Sequence, residues 1–461
     1  MVVHEPAPVS PDDVTDASGF VGWAEGVFAP STEEELLAIL EDAKARRMPL
    51  TVLGAGSGLT GARVAQGGWV ISMQNFRRLE IGRGRARAGV AITLVELNKA
   101  ALPTGQFYAP DPTENTASVG GTIATNASGS RSFRFGSTRG HVLALRVALM
   151  DGRVVEFQRG DRVDFPVAEI PLPHSRKSTA GYPLRPGMEW IDLFCGSEGT
   201  LGVVLEAELQ LLPIPAEIFA AVVFFPGDDE ALDAVDAWRP VAGLRMIEYF
   251  DRESLELLRQ RYPEIPAGAN AALLIESDGG DIDDWEKRLR ESKALVESSW
   301  FAVNATDRER FRKFRHSLPE LVNATMAHRG FMKMGTDYAV PIEANRAMLR
   351  YYRRRLDAEL PGQYVIYGHI GDAHAHVNML PATKEGFEKA DAFMKEFAKK
   401  AVEMGGTVSA EHGLGKRKAN LLTLQYSPES IQSMVAVKRR LDPLWLLGRG
   451  TLLPVPEELI T

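Results

Sequence analysis

A single cysteine, Cys195, interrupts a chain of 461 residues. One thiol excludes an internal disulfide and any cysteine-held metal cluster, and it fits a reducing compartment. Excess positive charge is also missing. Lysine and arginine number 53 against 61 aspartates and glutamates, a net charge of −8, which disfavours nucleic acid as a partner. No apolar run approaches the ~20 residues that cross a bilayer; stretches such as FAAVVFF (219–225) fall far short. The first residues, MVVHEPAPVSPDD, lack the basic-then-apolar order of a signal peptide and read as a loose tail. A cytoplasmic protein is expected. No internal repeat or low-complexity segment is visible.

What is present has the composition of a soluble globular protein, 45% hydrophobic and 25% charged. The length exceeds what one core supports, so several domains are expected. Ser31-x-x-Glu34 reads as a capping box opening an amphipathic helix, and Thr93-x-x-Glu96 as a second, closed near Pro103. Strands are expected at Pro49–Leu53 and Trp69–Met73, with Gly-rich loops and short strands continuing to 213. Pro213-Ile-Pro215 marks a boundary. Beyond it, strands such as Ala220–Phe225 and Ala271–Glu276 alternate with helices near 229–238, 281–298, 307–328, 343–359 and 384–404. Ser427 and Pro428 open a last helix to about 441. The division expected is a tail (1–30), a first domain (31–213), a second α+β domain (214–404) and a C-terminal segment (405–461).

Gly56-x-Gly58-x-x-Gly61 follows a strand and superficially matches the dinucleotide fingerprint. That fingerprint must open a helix, and only residues 62–66 separate it from Gly67-Gly68 and a new strand. The better reading is a strand–loop–strand whose backbone N–H groups approach an anion; the plain alternative is a tight surface turn. Two more glycine-rich segments, at 110–140 and 196–203, could join it around one large phosphate-bearing cofactor.

Six motifs carry a resemblance spanning about residues 30–450: GAGSGLTG (54–61), APDPTENTASVGGTIATNASG (109–129), FG…RGHV (135–142), GSEGTLGVV (196–204), GHIGDAHAHVN (368–378) and SAEHGLGKRK (409–418). The chain resembles the FAD-linked oxidoreductases of the vanillyl-alcohol oxidase / p-cresol methylhydroxylase fold. Within them it is similar to the D-2-hydroxy-acid branch, comprising D-lactate dehydrogenases, the flavin subunit of glycolate oxidase and D-2-hydroxyglutarate dehydrogenase. The resemblance implies a two-subdomain FAD-binding domain, an α+β substrate (cap) domain and a C-terminal segment returning to the flavin. It implies FAD held by Gly54, Ala55, Gly56, Ser57, Gly58, Leu59 and Thr60 at the pyrophosphate. Pro110, Asp111, Thr113, Gly120, Gly121, Asn126, Ser128, Gly129, Glu198, Gly199, Gly202 and Val203 would contact the rest. The first loop has no histidine, so the flavin is expected to be non-covalent.

The stretch GHIGDAHAHVN holds three of the nine histidines. Asp372-Ala373 suggests a two-residue hairpin turn that would set His369 opposite His376, close enough for both imidazoles to reach one metal. The alternative is ordinary hydrogen-bonded strand histidines. The resemblance implies a divalent metal (zinc, manganese or iron) on His369, His376 and Glu411. It makes His412 the base, Asn378 a substrate contact, Arg315 the carboxylate anchor and Lys333 a second contact. Such a set suits oxidation of a 2-hydroxy acid: a cation stabilises the alkoxide, a neutral histidine takes the proton, and a guanidinium fork binds the carboxylate. The implied partners are a small hydroxy acid and an electron acceptor, whether quinone, electron-transfer flavoprotein or iron–sulfur subunit. A homodimer and peripheral membrane association are further expectations.

Two departures stand out. The family hairpin usually has asparagine where this chain has His374, and an Asn-Pro-Gly-Lys segment where it has Leu447-Gly-Arg-Gly-Thr451. The alternatives to a dehydrogenase are a non-redox flavoenzyme like alkylglycerone-phosphate synthase and the flavin subunit of an iron–sulfur-containing complex.

Overall fold

The computed structural model describes residues 5–279 and 282–456. It begins with a parallel three-stranded sheet in the order Gly26–Phe28, Trp69–Ser72, Leu50–Leu53. The helix Glu33–Arg46 buries Leu36, Ile39, Leu40 and Ala43 against Leu50, Trp69 and Ile71. Its cap lies one residue later than the sequence suggests. Thr32 accepts from Glu35 N, and the Glu35 carboxylate accepts from Ser31 N at 2.6 Å, because three successive glutamates offer the box more than one frame. No helix follows the first glycine loop; it runs directly between two parallel neighbours. The box at Thr93 forms as read, with both halves present over the helix Leu94–Ala101.

An antiparallel five-stranded sheet follows, ordered Leu79–Gly82, Arg85–Gly89, Val203–Gln210, Val142–Ala148, Val154–Gln158. Its central strand, Val203–Gln210, alternates buried and half-buried positions, the two-residue period of a sheet with one apolar face. Insertion of this late strand between two earlier ones brings residues 196–202 beside the first glycine loop.

The largest sheet has seven antiparallel strands, ordered Trp300–Phe301, Ile218–Phe225, Ala271–Asp278, Leu244–Asp251, Tyr364–His369, His374–Met379, Met334–Gly335. Both faces are covered, which is why Leu244–Asp251 is buried at every position. On one face Phe311, Phe314 and Leu318 of the helix Ala305–Arg329 meet Val222, Phe224 and Leu274. On the other, Trp238, Leu349 and Phe397 from three helices meet Val223, Phe225 and Leu273. The helix expected over 281–298 spans Ile282–Glu291, where Ser292 Oγ bonds back to the Leu289 carbonyl; residue 281 lies outside the described residues. The last helix, Pro428–Leu441, is capped by Ser427 as expected. The chain then returns to the first sheet, Leu50 N donating to Leu446 O and Gly448 N to Leu50 O. No helix among the described residues is long and apolar enough to cross a membrane.

Replacing Thr93 by Ala removes the cap of the helix Leu94–Ala101, and urea titration will show a loss of about 1 kcal/mol. Cys195 is fully buried, and burial pushes its thiol up to about 12. The native protein will therefore not react with a maleimide at pH 8, whereas the unfolded chain will label once.

Candidate active site

A cavity of about 1460 Å³ opens between the sheets, larger than the roughly 300–1,000 Å³ of ordinary small-molecule sites. One end is lined by the glycine loop Gly54–Thr60, Gly120, Gly121, Glu198, Gly199, Gly202 and Val203, and Ser128, also in the wall, donates to Glu411 Oε1 at 2.7 Å. The other is lined by Thr113, Arg315, Lys333, His376, Asn378, Glu411 and His412.

The glycine loop meets the requirement of an anion cradle. Among the described residues, the backbone N–H groups of residues 55–60 donate to no protein group. Six successive free donors at a cavity wall suit a pyrophosphate. Gly120 and Gly121 line the cavity, but their own N–H groups are engaged within the protein. Gly120 N donates to Val90 O and Gly121 N to Ser118 Oγ. A Cβ on Gly120 would sit 2.7 Å from that of Val90, so this glycine permits close packing rather than donation. Pro110, Asp111, Asn126 and Gly129 do not line the cavity. Asn126 accepts from Arg139 N, Asp111 pairs with Arg131 at 2.6 Å, and a Cβ on Gly129 would strike Asp111 O at 1.9 Å. Asp111, Asn126 and Gly129 thus fold the 110–140 segment back on itself.

Glu198 has φ 52 and is buried. Its carboxylate accepts from Leu414 N and Gly415 N, both at 2.8 Å, clamping the loop that follows His412. Burial raises its pKa to about 7 against the pull of those two donors.

The histidine hairpin differs from the expected register. Residues Ile370–Asp372 form a 3-10 turn and Ala373 is left-handed (φ 54), so the connection has four residues rather than two. His369 therefore pairs with His374, and His376 with Tyr367. All three imidazoles still share a face, with ring centroids 5.4 Å (369–374), 5.4 Å (369–376) and 4.3 Å (374–376) apart. Donor atoms of His369, His374, His376 and Glu411 all lie within 4.8 Å of one another. His376 Nδ1 is 3.0 Å from the Thr336 carbonyl, which fixes its proton there and leaves the Nε2 lone pair free. His369 Nδ1 is 2.6 Å from Glu248 Oε1, and its Nε2 faces Glu411 Oε2 at 3.1 Å.

Four buried charges here escape the sequence reading. Glu248 holds His369 with one oxygen and Arg315 Nε (2.7 Å) with the other; burial opposes its charge, but Arg315 and His369 bring its pKa down to about 2. Lys177 bonds Glu411 Oε1 at 2.6 Å and Asp372 Oδ2 at 3.0 Å. Asp337 Oδ2 accepts from the N–H groups of Ala410, Glu411 and His412. Its Oδ1 lies 3.2 Å from His374 Nε2 and 3.5 Å from His412 Nδ1. Despite full burial, these neighbours hold Asp337 well below the usual carboxylate range. The strand Leu244–Asp251 carries three charges, Arg245, Glu248 and Asp251, in an otherwise apolar run, a readable sign, since a buried charge must be paired. Lys177 and Asp337, in short polar stretches, carried none.

Around the hairpin, Glu248, Asp337, Asp372 and Glu411 are buried against two buried cations, Lys177 and Arg315. Partly exposed Arg176 adds a third cation, 3.4 Å from Asp372 Oδ1, which leaves one carboxylate in excess beside three imidazoles, a donor set that suits a divalent cation. Arg315 Nη1 also donates to Thr113 Oγ1 at 3.0 Å. Lys333 has its pKa lowered by burial and by Lys418 nearby. The His412 ring lies parallel to that of His376, 5.7 Å between centroids; burial keeps its pKa below the ordinary value despite Asp337.

Replacing Glu248 by Leu strands Arg315 as an unpaired buried charge. A urea titration will register a loss of about 3–5 kcal/mol, and Glu248→Gln, which keeps an acceptor, a smaller one.

Residues 24–158 match the family model described as FAD binding domain, and residues 214–452 match that of the FAD linked oxidases, C-terminal domain. The chain is 29% identical to a D-lactate dehydrogenase of Archaeoglobus fulgidus, covering 92% of this chain and 90% of that one. It is 28% identical to the glycolate oxidase subunit GlcD of Bacillus subtilis (92% and 88%) and 27% identical to the D-2-hydroxyglutarate dehydrogenase of Stutzerimonas stutzeri (94% and 91%). Among solved structures an alkyldihydroxyacetonephosphate synthase superposes with TM-score 0.66 at 17% identity, over 93% of this chain and 76% of that one; this likeness speaks for the fold alone. With more than half its length matched by one model and the cradle formed by the other, the chain belongs to the FAD-linked oxidases.

Proposed function

We propose that this protein oxidises a D-2-hydroxy acid to the 2-oxo acid, using non-covalent FAD and a divalent metal. The observation that carries it is the cluster of three imidazoles and a carboxylate, donor atoms within 4.8 Å of one another, at the end of a cavity whose other end offers six free N–H groups. FAD, when bound, supplies the acceptor for the electron pair and hydrogen leaving C2, and the ion a Lewis acid for the hydroxyl oxygen. His369, His376 and Glu411 would hold the ion, and the 54–60 loop the pyrophosphate.

The chain's own residues then divide the remaining work. Arg315, fixed by Glu248 and Thr113, and Lys333 anchor the substrate carboxylate. Asn378 lines the same wall and contacts the substrate. His412 is kept neutral by burial and turns Nδ1 toward Asp337, so its Nε2 accepts the hydroxyl proton. The electrons then pass to an external acceptor (a quinone, an electron-transfer flavoprotein or an iron–sulfur subunit), since a chain with one cysteine holds no iron–sulfur cluster of its own. A cytoplasmic location suits that reading.

Anaerobic mixing with D- and L-2-hydroxy acids, read by flavin absorbance, tests this. A D-acid is expected to bleach the flavin and its L-enantiomer to leave it yellow. A colourless protein sinks the cofactor assignment, and a yellow protein bleached by no acid sinks the substrate class. His369→Ala is expected to keep FAD, lose the metal and fall about 100-fold or more in turnover; an equally active variant refutes the ligand role.

A further inference from the structure

We infer that His374 is a fourth protein ligand of the ion, through Nδ1, making a site of three histidines and one glutamate. This rests on the metal reading above and goes beyond it, since the family's usual asparagine at this position offers no imidazole.

His374 is completely buried, and neither ring nitrogen has a hydrogen bond among the described residues. Buried polar atoms are nearly always satisfied, so an orphaned imidazole at a ligand cluster calls for a partner. Nε2 lies 3.2 Å from Asp337 Oδ1, which is itself without a hydrogen bond and is the near acceptor for a ring proton. Nδ1, 4.0 Å from Glu411 Oε1, is then the nitrogen left to meet an ion. Two donors each ~2.1 Å from one ion stand at most about 4.2 Å apart, so the 4.8 Å envelope of the four residues closes with small movements. Lys177 does not compete for this nitrogen, being engaged by Glu411 and Asp372.

Four protein ligands saturate a tetrahedral ion and would leave no place for substrate. The site therefore suits an ion accepting five or six ligands, such as manganese, iron(II) or cobalt, with positions left for the hydroxyl and carboxylate oxygens of one 2-hydroxy acid. His374 further ties the ion to the base, because Asp337 Oδ1 faces both His374 Nε2 and His412 Nδ1.

The test uses FAD-containing protein loaded with Mn²⁺: wild type, His374→Asn, His374→Gln and His369→Ala. Equilibrium dialysis gives the affinity, and pulsed EPR counts the directly bound imidazole nitrogens. Flavin content and the urea midpoint confirm that each variant is folded. We expect three imidazoles in the wild type, two in either His374 variant, and affinity about 10–100-fold weaker in those variants. An unchanged affinity and imidazole count in a folded His374 variant, with His369→Ala still losing the ion, overturns the fourth ligand alone. If wild type and His369→Ala bind Mn²⁺ equally poorly, the metal reading itself falls.

Discussion

The Glu411 carboxylate is the point on which the reactive end of the cavity depends. Oε1 accepts from Ser128 and Lys177, and Oε2 faces His369. These partners belong to three segments far apart in the chain: the second glycine-rich segment, the stretch before Tyr182 and the hairpin. Burial leaves these contacts little screened, and each charge must find its partner at a fixed distance. One side chain thus sets the glycine loops, the hairpin and the C-terminal segment in register.

The loop carrying Glu411 and His412 is held the same way. Asp337 gathers three consecutive N–H groups, 410–412, and the Ser409 hydroxyl. Glu198 gathers the next two, 414 and 415. Asp337 comes from the segment just after the edge strand of the seven-stranded sheet, and Glu198 from the approach to the central strand of the five-stranded one. The loop has no regular structure of its own; two buried carboxylates from opposite walls replace the ladder a strand would have had. His412 inherits its orientation from that clamp.

Much of this was legible in the sequence, and the failures have physical causes. Apolar periodicity placed the strands Ile218–Phe225 and Ala271–Asp278 and most helices, since burial on both faces writes itself into composition. The turn was harder. Asp-Ala fits a two-residue hairpin, yet Ala373 alone takes the left-handed conformation and Ile370–Asp372 wind into a 3-10 turn. That shifts the pairing by two residues, which preserves the face and changes the partner. Gly120 and Gly129 are glycines because Val90 and Asp111 press against them, a long-range packing constraint that no local spacing records. Glu248, Asp337, Lys177 and Asp372 were missed because long-range ion pairs have no local spacing, and motifs record only neighbours in sequence.

The preserved face matters more than the changed partner. Side chains alternate along a strand, so His374, His376 and Asn378 point the same way whatever residue lies opposite. Pairing His369 with His374 leaves His376 beside Tyr367, one step nearer His412 and the substrate wall. A strand buried on both faces has little freedom to move its side chains, and charged groups need that rigidity to stay within bonding reach. Backbone donors on a glycine loop need the opposite, a chain able to bend around a large anion. The chain places its charges on the seven-stranded sheet and its glycines at the ends of the smaller ones, and the cavity lies where the two meet.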